Sequence, residues 1–209
     1  TAQRDGPPRP YGAAVTRRVL AMTGATGFVG GATMRQAIDA GWHVRALTRR
    51  PQPARDGVTW IAGALDRPDA LTEMAAGSDV VMHIAGVVNV PTRAAFEAGN
   101  ATATAHVIDA ARNAGVTRFV HVSSLAAREP ALSDYGWSKE GAEAAVTASG
   151  LDWTIVRPPA VFGPGDTEML DLFRMARRGI ALLPPRGRMS AIYVDDLARL
   201  LVALAADRS

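Results

Sequence analysis

A chain of 209 residues, 48% of them hydrophobic and 21% charged, can close one substantial core and has the balance of an ordinary globular protein. Having no cysteine, it can form neither a disulfide nor a thiolate metal site. Its longest apolar runs fall short of a bilayer span, its first residues lack a signal-peptide core, and a net charge of only +3 argues against nucleic acid, so a cytoplasmic protein with no membrane insertion is expected.

Residues 1–16, rich in proline and glycine, read as a flexible tail. From Arg18 the chain alternates apolar, β-branched runs with amphipathic stretches. RVLAMTG is a strand feeding a glycine turn, and FVGGATMRQAIDAG is a helix stopped by Gly41. HVRALTR and VTWIAG are the second and third strands, PDALTEMAAG a short helix, and DVVMHIAG the fourth strand. A long helix over 91–115 precedes a fifth strand, RFVHVSS; SDYGWSKEGAEAAVTASG is a helix and LDWTIVRP a sixth strand. TEMLDLFRMARRG and VDDLARLLVALAAD are later helices, the second preceded by AIYV. Strands alternating with helices of this length predict an α/β fold, a doubly wound parallel sheet covered on both faces, of six or seven strands in the order 3-2-1-4-5-6-7.

Between the first strand and first helix lies TGATGFVG, with Gly24, Gly27 and Gly30 at intervals of three and Thr26, Phe28 and Val29 among them. A doubly wound sheet receives a pyrophosphate there, on the N-terminus of the helix. Gly24 permits the tight turn, Gly27 lets the backbone approach the phosphates, and Gly30 allows close packing of helix on strand. An acidic residue gripping the ribose hydroxyls is expected at the end of the second strand, where this chain has Arg49 and Arg50. Two guanidiniums suit a 2′-phosphate, so NADP(H) is favoured over NAD(H).

YGWSKE holds the single lysine of a chain whose other 22 basic residues are arginines, and that lysine, Lys139, stands four residues after Tyr135. With only three tyrosines present, chance gives that spacing about one time in 70. On a helix the two share a face. An ammonium near a phenol favours the phenolate and lowers its pKa from about 10 toward working pH.

TGATGFVG, the HIAG after the fourth strand, VSS ending the fifth, YGWSK, RPPAVFGPGD and AIYVDDLA occur in that order over roughly residues 18–200. With these motifs the chain resembles the short-chain dehydrogenase/reductase superfamily, more closely its extended or atypical branch of NAD-dependent epimerase/dehydratase-like proteins. The resemblance implies a Rossmann-type dinucleotide-binding domain over 17–161 and a small C-terminal substrate-side appendage over 162–209. It implies that Tyr135 is the acid/base, Lys139 its partner and a holder of the cofactor ribose, and Ser124 the serine of the site, with Ser123 as the alternative. Leu65 matches a residue that packs on the adenine, although the aspartate usually before it is Ala64 here. Ala85 and Gly86 would line the cofactor wall, and Pro158, Pro159 and Ala160 would contact the nicotinamide carboxamide. Asn100 is read as a packing residue of the long helix and Arg157 as an anchor of the sheet end.

Only ten residues separate Ser124 from Tyr135, fewer than is common in extended members. Members usually continue into a C-terminal substrate region, which is expected either to be very small here, built from 162–190, or to be missing from this chain. His83 and His121 lie in predicted core strands, and no carboxylate or second histidine stands at ligand spacing, so no metal site is expected. The leading expectation is an NADP(H)-dependent oxidoreductase acting on a small molecule with a carbonyl or hydroxyl, with a homodimer through the long helices possible. The alternative is a non-catalytic NADPH-binding redox sensor or accessory subunit.

Overall fold

A computed structural model describes residues 17–167, 170–179 and 189–207. The expected tail 1–16 and residues 180–188 of the expected substrate segment lie outside the described residues. Six strands, β1 (Val19–Thr23), β2 (His43–Thr48), β3 (Val58–Ala62), β4 (Val80–His83), β5 (Arg118–Val122) and β6 (Asp152–Val156), form one sheet in the order β3-β2-β1-β4-β5-β6. Every pairing is parallel, and in one register row Thr23, His83, His121 and Ile155 lie side by side. β4 and β5 are buried at every residue, which is why they read as unbroken apolar runs rather than alternating ones.

Helix α1 (Phe28–Asp39) and the last helix, α7 (Val194–Ala206), cover one face. Met34 and Ala37 of α1 and Leu197, Leu201 and Ala205 of α7 share a core with Leu20, Met22, Val44 and Val120 of the sheet. On the other face α2 (Pro68–Ala75), α4 (Ala103–Asn113) and α5 (Asp134–Thr147) close a second core around Leu71, Val107, Phe119 and Val146.

The expected seventh strand does not join this sheet. AIYV contributes β8 (Ala191–Tyr193), which pairs in parallel with β7 (Ala160–Phe162) as a separate two-stranded sheet. Pro158 and Pro159 stand between β6 and β7; two residues without an N–H cannot extend the ladder, so the chain leaves it there. The predicted long helix is also not uniform. A short α3 (Arg93–Phe96) runs into a π-helical stretch over Glu97–Thr102 before α4 resumes the ordinary pitch. Between β7 and β8 lies α6 (Leu170–Arg177).

Candidate active site

The glycine loop has the geometry its spacing implies. Gly24 adopts φ +77°, and a Cβ there would lie 2.7 Å from the Ala85 amide nitrogen. Gly30 is tighter still, since a Cβ would come within 1.9 Å of the Gly24 carbonyl oxygen. Glycine at both positions brings β1, α1 and the end of β4 closer than any side chain permits. Gly27 caps α1 without a side-chain hydrogen bond, and it is exposed together with Thr26, while Phe28 and Val29 are half-buried. The first N–H groups of this twelve-residue helix thus have no side-chain cap, a fit for a dinucleotide's pyrophosphate.

Arg49 and Arg50 follow β2 and are exposed; Thr48 Oγ1 donates to the Arg50 carbonyl at 2.7 Å and fixes the turn. Neither guanidinium has an ion-pair partner among the described residues. Beyond them the chain folds back so that Gln52, Pro53 and Arg55 line a cleft of about 410 Å³ with Ala25, Thr26 and Trp60. Arg55 is a cation at the glycine loop that sequence reasoning missed; its only signal was a third arginine within six residues. Leu65, half-buried, packs on the second core, and its carbonyl lies 2.9 Å from His106 Nδ1.

Tyr135 and Lys139 lie one turn apart on α5, whose start is capped by Ser133 Oγ accepting from Gly136 N at 3.0 Å. The Tyr135 ring is half-buried, with its centroid 6.1 Å from that of Phe96. Lys139 is 4% exposed, and its Nζ donates to the Val122 carbonyl at 2.9 Å. A Cβ at Gly86 would stand 3.8 Å from that Nζ, so the ammonium reaches the wall formed by Ala85 and Gly86. Burial lowers its pKa to about 8, opposed by the Glu143 carboxylate.

The two candidate serines have separate tasks. Ser123 is buried, and its hydroxyl donates to Glu143 Oε1 at 2.5 Å. Ser124 is half-exposed and accepts from Ala126 N at 3.2 Å, capping a 3-10 turn over Leu125–Arg128. That turn is how the short segment before Tyr135 is accommodated. Arg157 meets Glu143 through Nε at 2.8 Å and a second nitrogen at 2.5 Å, so the expected anchor of the sheet end pairs with α5. The Pro158 carbonyl accepts from Leu125 N at 2.9 Å, and Pro159 and Ala160 are half-buried beside it.

Asn100 does more than pack. In the π-helical stretch its Oδ1 accepts from Val87 N at 2.9 Å, and its Nδ2 donates to the Val87 carbonyl at 3.0 Å and to Ser138 Oγ at 2.9 Å. Ser138 in turn donates to the Tyr135 carbonyl at 2.8 Å. His83 extends this chain to β1, with Nδ1 2.7 Å from Thr23 Oγ1 and Nε2 3.1 Å from Thr104 Oγ1. Because Thr104 gives its proton to the Asn100 carbonyl, His83 Nε2 must donate to Thr104, and Nδ1 accepts from Thr23. The imidazole is therefore neutral, and burial, with Lys139 nearby, lowers its pKa to about 3. His121 stacks on His83 with ring centroids 5.4 Å apart. Burial, then Lys139 and His83, holds the His121 pKa well below the usual value.

Among the described residues no group of three or more potential ligands could hold a metal ion, and no helix is long and apolar enough to cross a membrane. A second cleft, of about 530 Å³ beside Arg93, Leu132 and Trp137, is lined by none of the expected site residues.

A protein-family model described as NAD(P)H-binding matches residues 24–208. The chain is 44% identical over 193 residues to a ceramide reductase of Caulobacter vibrioides, covering 90% of this chain and 61% of the relative. It is 31% identical over 184 residues to a 4-hydroxy-2-methyl-3-oxo-4-farnesyl-3,4-dihydroquinoline-1-oxide ketoreductase of Stigmatella aurantiaca, covering 75% of this chain and 55% of the relative. The chain thus spans less than two thirds of the length of these curated relatives. Among solved structures, MoeE5 in complex with UDP-glucuronic acid and NAD superposes with a TM-score of 0.79 at 27% identity, covering 92% of this chain and 73% of that one.

Proposed function

The chain belongs to the NAD(P)H-binding family, and on that premise we propose that it is an NADP(H)-dependent oxidoreductase that reduces a carbonyl on a small molecule with an apolar body. The observation that carries the proposal is the placement of Lys139, the one lysine of the chain, buried at the Gly86 wall one turn after Tyr135. A buried cation is costly unless a task fixes it there. Bound cofactor would supply the hydride to the carbonyl carbon. Tyr135 gives the proton to the carbonyl oxygen, Lys139 favours the phenolate that remains, and Ser124 donates a hydrogen bond to the same oxygen. Gly24, Gly27 and Gly30 receive the pyrophosphate; Ala85, Gly86 and Pro158–Ala160 flank the nicotinamide.

Arg49 and Arg50, exposed after β2, and Arg55 in the cleft beside the glycine loop support a preference for the 2′-phosphate of NADP(H). Two relatives, a ceramide reductase and a ketoreductase of a farnesyl-bearing compound, support reduction. Val88 and Leu125 support the apolar substrate. They are 52% and 38% exposed just beyond the ends of the adjacent strands β4 and β5, where doubly wound sheets bind ligands. The test is loss of NADPH absorbance during incubation with ceramide, farnesyl ketones and short 3-oxo esters. Consumption with an apolar-tailed ketone is expected. NADPH that binds but is never consumed would favour a binding protein without turnover.

A further inference from the structure

Glu143 is a charged residue only 6% exposed, on the helix that carries Tyr135 and Lys139. The three stand at successive intervals of four and share one helix face. A buried carboxylate is tolerated only when its oxygens are well partnered, and here each is. Oε1 accepts from Ser123 Oγ and Arg157 Nε, and Oε2 accepts from a second Arg157 nitrogen. These donors come from two strand ends. Ser123 directly precedes Ser124 after β5, and Arg157 directly precedes Pro158 after β6.

We propose that Glu143 is a positioning residue: it fastens the helix bearing Tyr135 and Lys139 to the strand ends bearing Ser124 and Pro158, and it is the anion against which Lys139 is held. The proposal rests on the oxidoreductase reading only for its consequence in turnover. Lys139 and Glu143 grip consecutive residues, since Lys139 Nζ donates to the Val122 carbonyl and Glu143 accepts from Ser123. Sliding or rolling α5 would therefore break both grips together, and with them the placement of Tyr135 relative to the end of β5. The other groups facing this region are His83 from β4, His121 from β5, Tyr135 from α5 itself and Arg157 beyond the carboxylate. Both histidines are pushed toward the neutral form, so neither supplies a negative charge. Glu143 is itself kept anionic. Burial pushes its pKa up, but hydrogen bonds from Arg157 and Ser123 and the charge of Arg157 outweigh this and hold it below the usual carboxylate value. Losing that charge would leave two cations, Lys139 and Arg157, without their shared counterion.

The single lysine makes the test specific, because protein labelled with ε-13C lysine yields one side-chain resonance, that of Lys139. Its titration is followed with NADPH absent, in the wild type, Glu143→Gln and Arg157→Gln, with thermal unfolding confirming that each is folded. A wild-type midpoint near 8 is expected. Glu143→Gln keeps the shape and removes the charge, so the midpoint should fall by about one pH unit, tenfold in ionisation constant. Arg157→Gln leaves the carboxylate charged, and the midpoint should hold or rise. An unchanged or higher midpoint in folded Glu143→Gln overturns the proposal, a rise being what hydration of Lys139 by a loosened α5 would give, as does an equal fall in both variants, which would tie the shift to something other than the carboxylate charge. Should Glu143→Gln not fold, Arg157→Gln decides alone, a fall counting against the proposal and a steady or higher midpoint for it. The titration needs no substrate, so it stands even if the protein proves not to turn over; where it does, the basic limb of the pH–rate profile should move with the midpoint.

Discussion

Ser123 and Ser124 are neighbours with opposite environments: Ser123 Oγ is buried and donates to Glu143 at 2.5 Å, whereas Ser124 is half-exposed and caps a 3-10 turn. Extended backbone sends successive side chains to opposite sides, so only one of the pair can face a substrate. Ser124→Ala should lower kcat by about 10²-fold, the effect of removing one donor to a developing oxyanion, with a stability loss no greater than that of one turn cap, about 0.5–1 kcal/mol. Ser123→Ala should do the reverse, losing about 1–3 kcal/mol of stability by stranding a buried acceptor. Steady-state rates beside urea unfolding of both variants check this; equal losses of activity would remove the distinction.

Lys139→Arg should abolish most turnover although the formal charge is retained. The ammonium is 4% exposed and is held 2.9 Å from the Val122 carbonyl, 3.8 Å from where a Cβ on Gly86 would stand. A planar guanidinium is larger and cannot donate in the same directions. Tyr135→Phe should be as damaging to rate, while NADPH affinity survives better in it than in Lys139→Arg. Near wild-type turnover in Lys139→Arg would defeat the catalytic assignment.

NADPH should bind at least tenfold more tightly than NADH, a difference of about 1.4 kcal/mol. Arg49→Asp should reverse the order, since a carboxylate repels the 2′-phosphate and accepts from ribose hydroxyls. Fluorescence titration with both cofactors reads this directly. Equal affinities in the wild type would show the exposed arginines to be merely solvated.

Gly30 and Gly31 are adjacent in α1 and should respond oppositely to alanine. At Gly30 the new Cβ would stand 1.9 Å from the Gly24 oxygen and 2.6 Å from its carbon, both backbone atoms that cannot rotate away. Overpacking of this kind costs about 1–3 kcal/mol or more, and the shifted loop should lose NADPH binding. At Gly31 the nearest atom is 3.6 Å away, so alanine fits and should stabilise the helix by about 0.5–1 kcal/mol. Denaturant midpoints of the two variants should move apart.

Stability should fall as the solution is acidified below neutrality. His83 has a folded pKa of about 3 against 6.5, so through that window the unfolded chain binds a proton that the folded one refuses. His121 is depressed in the same direction, and Glu143, held below 4.5, adds a further loss at lower pH. His83 alone should remove roughly 2 kcal/mol between pH 7 and pH 5, and His121 adds a loss of the same sign. Lys139, depressed to about 8 from 10.5, should add a rise in stability through that upper window. Urea unfolding across pH 5 to 10 tests both limbs; a flat acid limb would mean that the imidazoles are charged in the folded protein.

The strand order from β3 to β6, the layering of helices and the place of the glycine loop were legible in the residues themselves. Those features rest on local signals: continuous apolar runs, a 3.6-residue period, and glycines where one helix must meet one strand. The four-residue interval of Tyr135 and Lys139 was legible for the same reason, since a single helix defines it. Tertiary structure alone decided which serine is held by Glu143, that Asn100 bridges Val87 to Ser138, and that His83 joins Thr23 to Thr104. It also decided that AIYV pairs with the residues after Pro158–Pro159 rather than with β6. Those hydrogen-bond partners lie between 13 and 60 residues apart in the chain. A hydroxyl, amide or imidazole carries no local mark of its partner, which is chosen only when packing of the apolar faces brings the strand ends together and leaves each buried polar atom needing a mate.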